Sequence, residues 1–348
     1  MAKSDKVGKA TAKRQRIIML PEVKNYIIQP NRITNAVYNY TLIQEKIFTA
    51  IMFYLQEPIN QSMKNVNLYQ LDLFTKSEKV RITIPLREIA KPRQYGEVKE
   101  AMQQMAGIVM TIPYLDANEK KRKKITSLFS FDVPEQAEYQ SNVIIEMEKL
   151  VAEILIDIDK DPSNQRPINY TRYIYEIAQN SRNKYTARLY KIISSWKKKG
   201  GFIISLDVLK EQLGVTGQYP NYYDFKRRVL LPAYEELLEK ADCWFNCKGK
   251  DFEVRDGKTV THLSFKVITP EFAEEDSKKT AYIDRILRDN YKFTDTDIKS
   301  IESVLKSPEI ERQGILKKIM EVSEHISVNE IGNPKAYLIK SLLTEFGK

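Results

Sequence analysis

The sequence predicts an α+β fold: two tandem winged-helix domains, each a helix-turn-helix with a β-hairpin wing, and a C-terminal helical extension. Three observations carry that prediction. Helical apolar stripes and alternating strands succeed one another in the same order twice. Residues 159–167, with two prolines and no aliphatic or aromatic side chain, divide the two runs as an interdomain linker does. Residues 1–270 hold 43 basic and 31 acidic residues, whereas the rest hold 13 and 15, so the cationic excess belongs to the body of the chain. The expected division is a flexible basic arm (1–27), a first winged helix (28–158), the linker (159–167), a second winged helix (168–270) and the extension (271–348).

In the first domain, Thr41 to Gln44 has the form of a capping box, in which hydroxyl and amide satisfy the first free N–H groups. Leu42, Ile43, Ile47, Ala50, Ile51, Tyr54 and Leu55 continue at helical spacing until Pro58. Residues 59–78 read as loop, Val80–Ile84 as a strand and Leu86–Ala90 as a short helix. In Tyr95–Ala106, Val98, Met102 and Met105 make a core stripe, and Gly107 suits a left-handed closure. Strands follow at Ile108–Tyr114 and Lys124–Phe131. Between them lie Lys120, Lys121, Arg122, Lys123 and Lys124, five cations expected at a hairpin tip, where they would grip phosphates. One more strand and an apolar segment fill 142–158.

The second domain repeats the order of elements, with no residue-level identity evident. Tyr185, Leu189, Ile192, Ile193 and Trp196 form a helical stripe, and Phe202–Ile204 a strand. Ser205 caps a helix carrying Leu206, Leu209 and Leu213, with Gly214 just beyond its end. The next helix begins near Asn221. Phe225, Val229, Ala233 and Leu237 share one face; Asp224, Arg227, Arg228 and Glu235 share the other. Pro232 should kink it near Arg228, because the ring clashes with the carbonyl four residues back. Cys243–Cys247 reads as a strand, and Asp256-Gly257 as the turn of a hairpin wing. Beyond residue 271, four apolar stripes predict a small, near-neutral helical module suited to protein contacts.

A net charge of +10 and a pI near 9.2 favour a polyanion as partner. No apolar run is long enough to span a membrane, and two cysteines four apart do not make a disulfide framework, so a reducing cytoplasm is expected. A phosphate-binding G-x-x-x-x-G-K-[ST] loop is absent. His262 and His325 stand far apart, which disfavours a relaxase-type metal centre, and Cys243 and Cys247 lack partners at zinc spacing. No catalytic residue, cofactor or metal is expected.

The motifs resemble a known family. Asn31–Leu55 is similar to the opening of plasmid replication initiators of the RepA/RepE type. More specific are Lys184-Tyr185-Thr186-Ala187-Arg188-Leu189-Tyr190, Ile204-Ser205-Leu206 with Leu209 and Leu213-Gly214, and Phe225-Lys226-Arg227-Arg228-Val229-Leu230 with Pro232-Ala233 and Glu235. The resemblance covers roughly residues 28–270. It implies binding of directly repeated origin sequences, iterons, in double-stranded DNA, opening of the origin with the host initiator and helicase machinery, and dimerisation for repression of the protein's own gene.

It also implies that the second domain reads DNA through Asn221, Arg227 and Arg228, and the first through Lys99, Gln103 and Gln104; Asp224, Lys226 and Arg93, on or beside the same helices, are further candidate DNA contacts. Arginine contacts guanine bidentately and Asn or Gln suits adenine, each good pair giving roughly 1–3 kcal/mol of discrimination. Lys121, Arg122, Lys123, Lys124 and Lys258, expected at hairpin tips, would add phosphate contacts, and Arg182, Lys184 and Lys198 complete the set of candidate DNA-binding residues. Lys226 falls toward the apolar side of its helix, and Tyr222 and Phe225 read as core rather than as base-stacking residues. A winged-helix transcriptional repressor is the competing reading; a nicking or priming enzyme is the third.

Overall fold

In a computed structural model of the protein, the described residues are 24–115, 120–305, 312–329 and 331–347. Most of the expected basic arm, residues 1–23, lies outside them. The first unit opens with strand β1 (Tyr26–Pro30) and the short helix α1 (Asn31–Thr34). Helix α2 (Leu42–Tyr54) starts on Thr41, whose hydroxyl accepts from the Gln44 N–H while the Gln44 side chain accepts from the Thr41 N–H.

Helix α3 (Gln56–Met63) follows almost at once and carries Pro58. The segment read as loop is therefore largely helical, continued by a 3₁₀ turn at Leu68–Gln70 and by α4 (Asp72–Thr75). Pro58 sits in the first turn of α3, where N–H groups have no intrahelical partner, so its ring breaks nothing. Then come β2 (Lys79–Pro85), α5 (Leu86–Ile89), α6 (Tyr95–Ala106), β3 (Val109–Leu115), β4 (Lys121–Ser127), β5 (Ser130–Asp132), β6 (Asn142–Glu148) and α7 (Lys149–Ile156). Gly107 closes α6 at φ −78°, in the right-handed region, contrary to the left-handed closure expected.

The second unit runs β7 (Tyr170–Ile174), α8 (Tyr175–Gln179), α9 (Lys184–Ser195), β8 (Gly201–Ser205) and α10 (Leu206–Gln212). Its long helix is built of α11 (Tyr222–Phe225), a π-helical segment (Lys226–Leu230) and α12 (Leu231–Lys240) without interruption. Strands β9 (Trp244–Phe245), β10 (Glu253–Asp256) and β11 (Thr259–Ile268) complete it. The expected Cys243–Cys247 strand is thus only two residues long, and both cysteines are buried and free.

The two sheets have one topology. Antiparallel order β5-β6-β2 in the first unit matches β10-β11-β8 in the second. The wing of the first unit is therefore β5–β6. Hairpin β3–β4, where the sequence placed the wing, is a separate two-stranded ribbon inserted after α6. In β2 and β6 alternation puts Val80, Ile82, Ile84, Val143, Ile145 and Met147 into the core.

The units are joined through their first strands: β1 pairs antiparallel with β7, Tyr26 opposite Ile174 and Pro30 opposite Tyr170. One apolar core runs from Ile27 to Val267 across both. At the seam between α2 and α9, the fully buried Lys191 ammonium lies 2.6 Å from Glu45 Oε1 and 2.9 Å from Thr49 Oγ1. Burial lowers the Lys191 pKa and Glu45 opposes that shift. Beside them Arg188 stacks on Tyr38 and donates to the carbonyls of Ala36 and Gln212. Gly214, at φ +64°, packs so closely on Asn39 of the first unit that a Cβ would meet its backbone at 2.9 Å.

The segment read as a linker is an ordered loop held by the first unit. Lys160 bridges to Pro167, its ammonium donates to the Ser62 carbonyl at 2.6 Å, and Asp159 pairs with Arg32.

The C-terminal module has its own core, with Ile283, Leu287, Ile301, Val304, Ile315, Leu338 and Leu342 at its centre. Helices α13 (Pro270–Tyr291), α14 (Asp295–Ser300), α15 (Glu302–Leu305), α16 (Arg312–Val328) and α17 (Pro334–Phe346) build it. Ile283 is buried there, while its neighbour Tyr282 is exposed. Thr294 and Asp297 form a capping box on α14, and Lys335 reaches the same carboxylate at 2.9 Å.

Candidate nucleic-acid interface

The long helix of the second unit is sorted by burial into two faces. Phe225, Val229, Leu230, Ala233 and Leu237 are buried, while Arg227 and Arg228 project from the opposite side with side chains 53% and 62% exposed. Asn221 caps the helix, its Oδ1 accepting from the Tyr223 N–H at 2.8 Å, so its first task is local. Asp224 holds both arginines, at 2.8 Å from Arg227 and 3.9 Å from Arg228. The Arg227 pKa is raised by that hydrogen bond and by the carboxylate charge.

Where a kink was expected from Pro232, the helix holds a π turn at Lys226–Leu230. The Leu231 N–H donates to the Lys226 carbonyl, five residues back. Two stripes with spacing i, i+3, i+7, Tyr222-Phe225-Val229 and Leu230-Ala233-Leu237, meet with adjacent residues. One extra residue in that turn keeps both on the core side.

Lys226 is not on the outer face. Its ammonium lies 2.7 Å from Glu253 Oε1 on wing strand β10, and the Tyr222 hydroxyl donates to the same oxygen at 3.0 Å. Arg255 pairs with the other oxygen. Burial pushes the Glu253 pKa up, but the bonds from Lys226 and Arg255 outweigh it and leave it lowered. At the wing tip, Asp256 pairs with Thr259, which makes Gly257 and Lys258 the two-residue turn; Gly257 has φ +57° and Lys258 is exposed. Glu253 and Arg255 were missed by sequence reasoning; only the place of Arg255, just ahead of the Asp256-Gly257 turn, hinted at it.

In the first unit, Gln103 and Gln104 are exposed on the last turns of α6. Gln104 Oε1 also accepts from Gln44 at 3.1 Å. Arg93 is exposed in the turn before α6, roughly 16 Å away along the axis, so it does not join them. Lys99 is half-buried and donates to the Glu135 carbonyl, in the loop between β5 and β6, at 2.6 Å.

Of the cationic run only Lys120 falls in the connection between β3 and β4; the other four do not sit at the hairpin tip. Lys121 to Lys124 lie along β4, opposite Leu115 to Ile112. Lys121 and Arg122 are exposed, and the side chains of Lys123 and Lys124 lie outside the described residues.

The remaining candidates are dispersed. The exposed Arg182 precedes α9, with its N–H on Glu236 in α12. Lys184 donates to Asn39 across the seam at 2.6 Å, and desolvation lowers its pKa. Lys198 is exposed beside a groove of about 920 Å³ lined also by Arg32, Arg172, Lys197 and Lys199. That groove adjoins the Gly201 end of β8, which pairs with Lys266, roughly 25 Å along β11 from the wing turn. Lys198 is thus not part of the Arg227 face. Among the described residues no His, Cys, Asp or Glu cluster suits a metal ion, and no helix is long and apolar enough to cross a membrane.

Two winged helices on one chain, one presenting an arginine pair on its outward helix face, define a tandem winged-helix DNA-binding protein. The family model for "Initiator Replication protein, WH1" matches residues 26–194, and that for "Initiator Rep protein, WH2" matches residues 205–267, together more than half of the chain. The chain belongs to this family of initiator replication proteins. The PI protein of Escherichia coli is 32% identical over 102 residues, an alignment spanning 26% of this chain and 33% of that relative. The crystal structure of the Pi initiator protein in complex with iteron DNA is 16% identical, with a TM-score of 0.48, covering 71% of this chain and 98% of the other.

Proposed function

We propose that this chain initiates plasmid replication by binding directly repeated sequences in duplex DNA at an origin, with no catalytic step of its own. Family membership supports the initiator role. The observation that carries DNA reading is the exposed pair Arg227 and Arg228 on a helix whose inner face is fully buried. An arginine fixed at the backbone, with an exposed guanidinium oriented by a neighbouring carboxylate, is suited to guanine in the major groove.

The second unit reads one end of each repeat through Arg227, Arg228 and the Nδ2 of Asn221. Gln103 and Gln104 read the other end. Lys258 and Arg255 on one wing, and the cations of β4, hold phosphates. The seam at β1–β7 keeps the two reading faces at fixed spacing, so residues 28–158 and 168–270 divide the reading rather than the folding. Residues 271–348 provide the protein contacts that recruit the host initiator and helicase, and a homodimer represses the chain's own gene.

A nuclease-protection footprint on the DNA flanking that gene tests the reading. Protection of a series of direct repeats at nanomolar protein, lost steeply as salt rises, is the expected result. Uniform protection indifferent to sequence contradicts it.

A further inference from the structure

The two DNA-facing helices begin alike. In α6 the first five residues are Tyr95-Gly96-Glu97-Val98-Lys99, and in the second unit Tyr222-Tyr223-Asp224-Phe225-Lys226. Both read Tyr-x-acid-apolar-Lys. The apolar fourth residue is fully buried in each, Val98 and Phe225. The fifth residue, a lysine in each, reaches across to the wing of its own unit: Lys99 to the Glu135 carbonyl at 2.6 Å, Lys226 to the Glu253 carboxylate at 2.7 Å. Neither lysine lies on the outer face, where a phosphate or base would meet it. In the second unit the tie is reinforced by Tyr222 and Arg255 on the same carboxylate, and the Lys226 ammonium sits 5.8 Å from the ring centroid of the buried Phe252.

We infer that the fifth-position lysines are positioning residues that lock each reading helix to its wing, and that Lys226 and Glu253 thereby set the sequence discrimination of the second unit without touching DNA. This deepens the reading proposed above and rests on it. The wing grips phosphates and the helix reads bases, so the angle between them fixes where Arg227 and Arg228 meet the base edges. Bidentate contacts tolerate little displacement. Non-specific binding, which needs only charge near phosphates, is far less sensitive to that angle.

The test is a set of binding titrations with the full chain on a duplex carrying its own origin repeat and on a scrambled duplex, across a salt series. Lys226→Met and Glu253→Gln should each lower the ratio of the two affinities about tenfold. The salt slope of Lys226→Met should stay that of the native protein. The double variant should lose no more than either single one, because both remove one tie. Lys226→Arg, which keeps charge and reach, should restore the ratio.

Three results overturn the inference. A Lys226→Met variant that weakens both duplexes equally and flattens the slope by about one makes Lys226 a phosphate contact. A lower melting temperature with an unchanged ratio makes the pair merely structural. Additive losses in the double variant uncouple the two residues. A native ratio near one contradicts the repeat-binding reading itself, and this control is read before any variant.

Discussion

The outward helices of the two units share four of their first five residue types, Gly96 standing where the other has Tyr223, and part company immediately afterwards. Where the second unit carries Arg227 and Arg228, the first carries Glu100, exposed, and Ala101, buried. Its exposed amides, Gln103 and Gln104, come nearly a turn later, and one of them is already engaged by Gln44. The helix-to-wing tie also differs in kind: a buried-edge carboxylate with three donors in one unit, a single backbone carbonyl in the other. One scaffold used twice thus holds two chemistries. On the function proposed above, the second unit serves guanine-directed discrimination, and the first weaker, amide-based contacts backed by the cationic ribbon β3–β4.

That comparison breaks first if the arginines are dispensable. Arg227→Ala with Arg228→Ala should cost roughly a hundredfold or more in preference for the repeat over a scrambled duplex, measured by competition titration, given the size of bidentate contacts. A preference within about threefold of the native value would remove the second unit from its leading role.

The shared seam is the next point of strain. Lys191→Met leaves Glu45 buried and unpaired, and should destabilise the two-unit body by about 3–5 kcal/mol in denaturant unfolding. Replacing both partners by apolar residues should recover most of the loss. If the single change were nearly neutral, the units would be far less bound to one another than the common core indicates.

Changing Lys121, Arg122, Lys123 and Lys124 to alanine should weaken binding to all duplexes alike and reduce the salt slope by up to about four, one for each phosphate no longer neutralised. A changed base preference at one position would instead make β4 a reader. Gln103→Ala with Gln104→Ala should lower discrimination by only about five- to tenfold, toward the bottom of the range for base contacts.

The smallest effect concerns the C-terminal module. Bonds from the Thr294 backbone, from Lys335 and from the Thr294 hydroxyl hold the Asp297 pKa at about 2, below its ordinary value near 3.8. The stability this carboxylate contributes is present above the ordinary value and is lost as pH falls from about 4 toward 2. Asp297→Asn should therefore remove part of the acid sensitivity of the module, seen as a flatter melting-temperature profile between pH 4 and 2. Repeat binding at neutral pH should not change.

Much of this was legible in the chain itself. Thr41 and Ser205 announce helix starts, because a hydroxyl ahead of an apolar stripe satisfies free amides. The sorting of Phe225, Val229, Ala233 and Leu237 from Arg227 and Arg228 follows from helical period alone. The rest depends on long-range pairing. Nothing local in Tyr26–Pro30 says that it will pair with Tyr170–Ile174. Pro58 suggested a stop and proved to be a first-turn residue. Four of the five cations, Lys121 to Lys124, fell in a strand rather than a tip, and the wing strands of that unit, Ser130–Asp132 and Asn142–Glu148, lie further on.

The site was harder to read than the fold. Lys226 was identifiable as facing inward, but its partner Glu253 lies across a hairpin, and the partner of Lys99 is a backbone carbonyl that leaves no side-chain signal. The shared opening of the two helices was not evident in the sequence, because four degenerate positions carry no weight until the sheets align them.

The central claim is that the two units read different ends of one repeat, with the second contributing most of the discrimination. It is tested most directly by a base-pair scan. Every position of the origin repeat is changed in turn, and affinity is measured for the native chain, for Arg227→Ala with Arg228→Ala, and for Gln103→Ala with Gln104→Ala. The expected result is that the arginine variant becomes indifferent to sequence at one end of the repeat only, while the glutamine variant loses a smaller preference at the other end. Loss at both ends from the arginine changes alone, or loss at the same positions from both variants, would contradict it.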